Sequence, residues 1–230
     1  EQNPYKITWN VNEGDKLTGE GYTVEAFYGN PITAPSDPTR RGYTFGGWYT
    51  DGSNFAENTK FKTGDKMPEG DVTYYAKWTP SVYGITYPGI EGSAPDVTLP
   101  TTHTYGTASE IPNLTRTGYV FNGWVVNGEG AAQTNLTLGA EDYTGAVTLT
   151  AAWTAERYAI TYEGMDGAQY GEAHPDWYAY DTDAVISDPT KAGYTFLGWL
   201  VNGAGAAQKD LTLAKEAYLD NITLTATWEQ

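Results

Sequence analysis

"GYTFGGW" (Gly42–Trp48) returns as "GYVFNGW" (Gly118–Trp124) and again as "GYTFLGW" (Gly193–Trp199). A chain that carries one aromatic–glycine heptapeptide three times holds either three copies of a site or three copies of a core. Tyr43 and Phe45 fall on one face of a strand, and simple alternation sends Trp48 to the other. The position after Phe is Gly46, Asn122 or Leu197, and a position that accepts all three is exposed. A β-bulge at Gly47, Gly123 and Gly198 reconciles these observations. The extra residue resets the alternation and turns Trp48, Trp124 and Trp199 towards the core, and glycine has no Cβ to oppose it. Tyr43, Tyr119 and Tyr194 with Phe45, Phe121 and Phe196 then read as packing residues rather than as an aromatic ligand platform.

The heptapeptide sits inside a longer repeat. Each unit opens on an alternating stretch, "YKITW" from Tyr5, "YGITY" from Tyr83 and "YAITY" from Tyr158. A tyrosine then recurs at Tyr28, Tyr105 and Tyr180. Each unit closes on "VTYYAKW" (Val72–Trp78), "VTLTAAW" (Val147–Trp153) or "ITLTATW" (Ile222–Trp228), with Trp78, Trp153 and Trp228 spaced 75 residues apart. Val72, Tyr74, Ala76 and Trp78 share one strand face, and threonines dominate the other face of the later copies, a period of two in strand-favouring residues. Asp51-Gly52, Asn127-Gly128 and Asn202-Gly203 follow the heptapeptide with residues that accept the positive φ of tight turns. Helix signals are confined to one turn in "TLAKEAYL" (Thr212–Leu219) and its counterpart "TLGAEDYT" (Thr137–Thr144). The expected architecture is mainly β: three small modules at 1–79, 80–154 and 155–230, joined by linkers too short to act as flexible tethers and set as an elongated array.

Composition narrows the function. The chain has 230 residues, 29 Asp+Glu against 13 Lys+Arg and a net charge of −16. Nucleic-acid binding needs a basic footprint, and electrostatic docking on anionic lipid needs the same. There are no cysteines, so disulfides, thiolate nucleophiles and Cys-based zinc sites are excluded. No apolar run reaches 18 residues, so no membrane span is expected. The start "EQNPYKITW" carries neither Met nor an apolar signal core, and reads as a processed or excised segment.

The order of landmarks resembles the Listeria–Bacteroides repeat, the B-repeat of internalin-type bacterial surface proteins. That order is a "Y-x-[IV]-T" strand, a variable segment, "P-T-[KR]-x-G-Y-x-F-x-G-W" and a closing "L-x-A-x-W". The first unit, with "DPTRRGYTFGGWYTDG", is closest; the second departs with "NLTRTG" in place of the "DPT" form. The second and third carry "VNGEGAAQ" and "VNGAGAAQ" where the first has "TDGSNFAEN". The resemblance implies β-grasp-like modules in tandem within an exported cell-surface or secreted protein. There they act as stalks beside other domains of the same protein, or bind host or matrix glycan or protein. It implies no catalytic residue and no cofactor.

Independent signs of chemistry are few. His103 and His174 lie in different repeats and neither recurs, which argues against a His-based triad or zinc site. The acidic segment Glu163–Asp188 lacks the EF-hand spacing and reads as a solvated loop rather than a calcium site. One residue breaks the internal pattern. Trp177 stands three positions before Tyr180, where the other units have Glu25 and Thr102. Polar counterparts mark an exposed position, so Trp177, with Tyr178 beside it, is the candidate surface for stacking on a sugar ring or a partner.

Overall fold

Strand-favouring alternation becomes sheet wherever an apolar face finds a partner to bury it. The computed structural model describes residues 3–15, 23–95 and 98–230. The chain forms two compact units. The first takes Glu1–Thr86, Pro100–Ile111 and Thr137–Thr148; the second takes Tyr87–Leu99, Pro112–Leu136 and Leu149–Gln230. Among the described residues no helix is long and apolar enough to cross a membrane.

The first unit holds a four-stranded sheet in the order Thr23–Ala26, Tyr5–Asn10, Val72–Pro80, Tyr43–Tyr49. The opening strand runs parallel to the closing strand, with Ile7 opposite Val72 and Trp9 opposite Tyr74, and the outer pairings are antiparallel. Ile7, Trp9, Ile32, Trp48, Met67, Tyr74 and Ala76 form its buried cluster. Trp9 stacks on Tyr74 at 4.7 Å and meets Trp48 edge-on at 5.1 Å. The same unit contains Val82–Thr86, antiparallel to Thr102–Thr104, and the pair Ser109–Glu110 with Thr137–Leu138.

The second unit repeats the plan. Its sheet orders Trp177–Ala179, Arg157–Glu163, Ile222–Glu229, Thr195–Val201 and Ala204–Gln208, again with opening and closing strands parallel. Ile160, Tyr178, Ile186, Phe196, Trp199, Leu211, Leu213, Ile222, Leu224 and Ala226 are buried together. Tyr119–Val126 pairs there with Glu129–Gln133 and with residues 149–155 of the strand Val147–Ala155.

The bulge is present in all three copies. Register shifts between Phe45 and Trp48, Phe121 and Gly123, and Phe196 and Gly198, and the glycines take φ of +115°, +121° and +142°. Each shift keeps Phe and Trp on one face. Phe45, Phe121 and Phe196 stand opposite the closing Trp78, Trp153 and Trp228, while Trp48, Trp124 and Trp199 stand opposite Ala76, Ala151 and Ala226. The small alanine leaves room for the indole, and within each strand the Phe and Trp rings meet edge-on at 5.3, 5.4 and 5.4 Å. The closing indoles donate to main chain beyond the opening strand: Trp78 to the Val11 carbonyl at 2.9 Å, Trp153 to Gly89 at 3.1 Å and Trp228 to Gly164 at 2.9 Å.

Two expectations are corrected. "TLAKEAYL" forms no helical turn: its first residues belong to the strand Leu211–Leu213, paired with Ala184–Ile186, and a turn follows in which Ala217 N–H donates to the Ala214 carbonyl. "TLGAEDYT" likewise begins in the strand Thr137–Leu138. The Asp/Asn-Gly turns also differ. Asn127-Gly128 and Asn202-Gly203 have positive φ at both residues and close two-stranded hairpins. Asp51-Gly52 does not; the Asp51 carboxylate takes the N–H groups of Asn54 and then Ser53, which hold it below the ordinary carboxylate range, and a 3₁₀ turn at Glu57–Thr59 follows. A competing side-chain acceptor diverts the backbone from the hairpin.

That difference changes what surrounds the bulge. A Cβ on Gly123 would lie 2.3 Å from the Gln133 carbonyl carbon, and one on Gly198 2.5 Å from the Gln208 nitrogen, both main-chain atoms of the hairpin partner. At Gly47 the nearest atom is the flexible Lys60 Cε at 2.8 Å. Gly→Ala at any of the three strains the backbone by about 1–3 kcal/mol. Gly123→Ala adds a clash that only a shift of the hairpin relieves, so it lowers the melting temperature more than Gly47→Ala. Thermal unfolding followed by near-UV circular dichroism checks the order.

Candidate functional site

Two places among the described residues gather aromatic and charged side chains in arrangements that bear on function. The first is a surface depression of about 520 Å³ in the second unit, whose lining includes Glu172, His174, Pro175, Trp177, Asp183 and Val185. Trp177 is 58% exposed. Tyr170 stacks on His174 at 4.9 Å with ring planes 18° apart, and His174 Nδ1 lies 2.9 Å from the Gly171 carbonyl. Beneath them the Tyr162 hydroxyl donates to the Pro175 carbonyl at 2.9 Å. Its own burial, then the charge of Asp176, pushes the Tyr162 phenol up to about 12. An exposed indole beside two carboxylates and a stacked Tyr–His pair has the chemistry to hold a flat or ring-shaped polar ligand.

Tyr178 is no part of that surface. Trp177 and Tyr178 are consecutive in one strand, so one points out and the other in. Tyr178 is fully buried, donates to the Ala214 carbonyl at 2.8 Å and accepts from the Ala217 N–H at 3.1 Å. Its counterpart His103 is equally buried, with Nδ1 2.9 Å from Ser109 Oγ and its ring edge-on to Tyr143 at 6.1 Å. The two histidines thus hold unrelated positions: a core one and a surface one. Among the described residues no three His, Asp or Glu side chains converge as a metal site. In the acidic segment, Asp183 accepts the Lys215 N–H at 2.7 Å and Asp181 the Thr182 hydroxyl at 3.0 Å.

The second place is the junction between consecutive repeats, which occurs once in each unit. In the first unit Tyr105 lies flat on Gly42, where a Cβ would come within 2.3 Å of its ring. Ser81 N–H donates to the Gly42 carbonyl at 2.9 Å, and Tyr105 N–H donates to the Ser81 carbonyl at 3.0 Å. Tyr43 meets Tyr105 edge-on at 5.5 Å under the Arg40 guanidinium, 4.0 Å above it. In the second unit Tyr180 lies on Gly118, Glu156 takes the part of Ser81, Tyr119 meets Tyr180 at 5.7 Å and Arg116 covers Tyr119 at 4.1 Å. Gly42 and Gly118 have φ of +76° and +74°. The sequence marked these tyrosines as recurrent without giving them a task; their fixed spacing from the glycine of their own repeat conceals that each packs on the glycine of the repeat before. One residue separates the strands at each junction, Ser81 between Val72–Pro80 and Val82–Thr86, and Glu156 between Val147–Ala155 and Arg157–Glu163.

A family profile described as the Listeria-Bacteroides repeat domain matches residues 5–77, 83–152 and 158–227. Two proteins of Evansella cellulosilytica are similar. One, named as a Gly-rich membrane protein, is 29% identical over 207 residues, 86% of this chain and 22% of the relative; the other, named as a membrane protein, is 29% identical over 218 residues, 91% and 30%. Internalin H of Listeria monocytogenes is 39% identical over 94 residues, 40% of this chain and 16% of that protein. The chain spans less than a third of the length of these curated relatives.

Adjacent residues of one strand give opposite outcomes. Tyr178→Ala costs about 3–5 kcal/mol, as for other buried aromatics. Trp177→Ala stays within about 0.5 kcal/mol, as for exposed positions. Urea unfolding of both variants checks this. For Tyr162 the phenol holds its proton in the folded chain up to about 12, against 10.0 in the unfolded one. The folded state therefore binds the extra proton in that window, and stability falls as pH rises from 10 towards 12. Tyr162→Phe removes this part of the alkaline loss, seen as a flatter dependence of melting temperature on pH.

Proposed function

The chain belongs to the Listeria-Bacteroides repeat family, and from that premise we propose that it is a non-enzymatic spacer segment of an exported bacterial cell-surface protein, holding a distal domain of the same protein away from the envelope. The observation that carries this reading is the junction. Two linkers of one residue each are closed by a tyrosine on a glycine, two main-chain hydrogen bonds and a cation over a tyrosine ring. A flexible tether has none of these. Edge-on aromatic pairs contribute about 0.5–1.5 kcal/mol each, and cation–π contacts about 0.5–1 kcal/mol where exposed. Modules that are each small thereby gain stability from their neighbours, as in other linear repeats.

Surface placement draws support from the relatives, two named as membrane proteins and one as an internalin. The charge of −16 suits a surface segment that repels its own copies. The division into modules 1–79, 80–154 and 155–230 draws support from the three family matches at 5–77, 83–152 and 158–227. A β-grasp-like plan draws support from the parallel pairing of opening and closing strands. The second reading is an adhesive module that binds host or matrix glycan or protein, favoured by Trp177 on its depression.

Small-angle scattering of the 230-residue chain tests the spacer. On the spacer reading, three repeat modules in line, each of about 11 Å radius of gyration, would extend over roughly 80–110 Å. A distance distribution with one maximum near about 20 Å and no long tail overturns the spacer. Glycan-array binding that disappears with Trp177→Ala transfers the assignment to the adhesive reading.

A further inference from the structure

The junction is built twice within the chain, and half of it stands open a third time. Gly193 has the same φ, +78°, as Gly42 and Gly118. Tyr194 follows it as Tyr43 and Tyr119 follow theirs, and Lys191 Nζ lies 4.5 Å over the Tyr194 ring where Arg40 and Arg116 cover the others. Among the described residues no tyrosine ring lies on Gly193, and a Cβ there would meet nothing within 4 Å. Tyr194 is 41% exposed. The closing strand leaves the sheet at the matching register: Glu229 stands opposite Thr195 as Thr79 stands opposite Thr44 and Thr154 opposite Val120. By that register the position after Gln230 corresponds to Ser81 and Glu156.

The other end of the chain carries the complementary half. Tyr28, the counterpart of Tyr105 and Tyr180, is 61% exposed, whereas Tyr105 is 4% exposed. Asn3, Tyr5, Tyr28 and Glu69 line a depression of about 540 Å³ there. Asn3 precedes Tyr5 by two residues, as Ser81 precedes Tyr83 and Glu156 precedes Tyr158.

We infer that the exposed face formed by Lys191, Gly193 and Tyr194 is a socket for the junction tyrosine of a further repeat of this family, joined in line after the closing strand. The occupant follows from continuity with the two closed junctions. Both use a main-chain donor one residue beyond the closing strand, which only a covalently continued module supplies at that place. Linkage also raises the effective concentration of the incoming tyrosine. Docking between separate chains lacks both advantages and brings two strongly acidic molecules together. The inference concerns what the face receives and stands whether or not the array acts as a spacer.

The test is a chain with a second copy of residues 156–230 fused directly after Gln230, compared with the 230-residue chain by NMR of the glycine α-protons. A glycine beneath a tyrosine face is shielded by the ring current. Gly42 and Gly118 are expected to be shielded in both chains, and Gly193 only in the extended one. Tyr180→Ala made only in the appended copy is expected to return Gly193 to its original position. A second fusion, carrying residues 81–154 instead, repeats the test with an independent module. An unshifted Gly193 in both extended chains beside shielded Gly42 and Gly118 overturns the socket, and unshifted Gly42 and Gly118 overturn the junction on which it rests. A Gly193 shift that grows with concentration in the 230-residue chain assigns the face to a second copy and overturns the in-line occupant.

Discussion

The bulge glycine between Phe and Trp is the constraint on which each repeat depends. A strand with strict alternation shows the core either Phe45 or Trp48. With the extra residue it shows both, and their rings meet at 5.3 Å. The closing strand is matched to that geometry: a tryptophan stands opposite the Phe, and an alanine lies under the bulged Trp. Its indole N–H then ties the sheet to the turn after the opening strand. Small cores have little apolar area to bury, so large rings in a few exact pairings supply what volume cannot.

Around this frame the repeats tolerate substitution where chemistry allows it. The inward position of the second strand holds Tyr178 in one repeat and His103 in another, each completed by a nearby polar partner and an edge-on tyrosine, Tyr218 or Tyr143. The outward neighbour is free to vary and is Trp177 in one case and Thr102 in another. The connection after the heptapeptide varies more. Asn-Gly yields a hairpin whose backbone presses on the bulge glycine, and Asp51 with its acceptor oxygens yields a side-chain-closed turn that leaves the bulge facing Lys60.

The junction uses the same economy of parts. The glycine that starts the heptapeptide turns the chain into its strand through positive φ, and its missing side chain is also the seat for the next repeat's tyrosine. One residue thus serves the fold of its own repeat and the coupling to its neighbour. The proposed spacer draws on this dual use, since each added repeat brings its own junction contacts rather than a separate device.

Sequence alone determined the repeat, its β character and the bulge, because each leaves a local trace: a period of two, a glycine at fixed spacing, and a position that accepts Gly46, Asn122 or Leu197. It also marked Trp177 as exposed from its polar counterparts Glu25 and Thr102. What it left open depends on atoms distant in the chain. That Asp51-Gly52 would not close a hairpin rests on where its carboxylate finds donors. That Tyr178 is buried beside an exposed Trp177 rests on which face of a short strand meets Leu211–Leu213. That Tyr105 and Tyr180 belong to junctions rests on contacts spanning more than 60 residues, between one repeat's glycine and the next repeat's ring. Spacing within a repeat is blind to such contacts, since only the folded chain brings Gly42 under Tyr105 and leaves Gly193 bare.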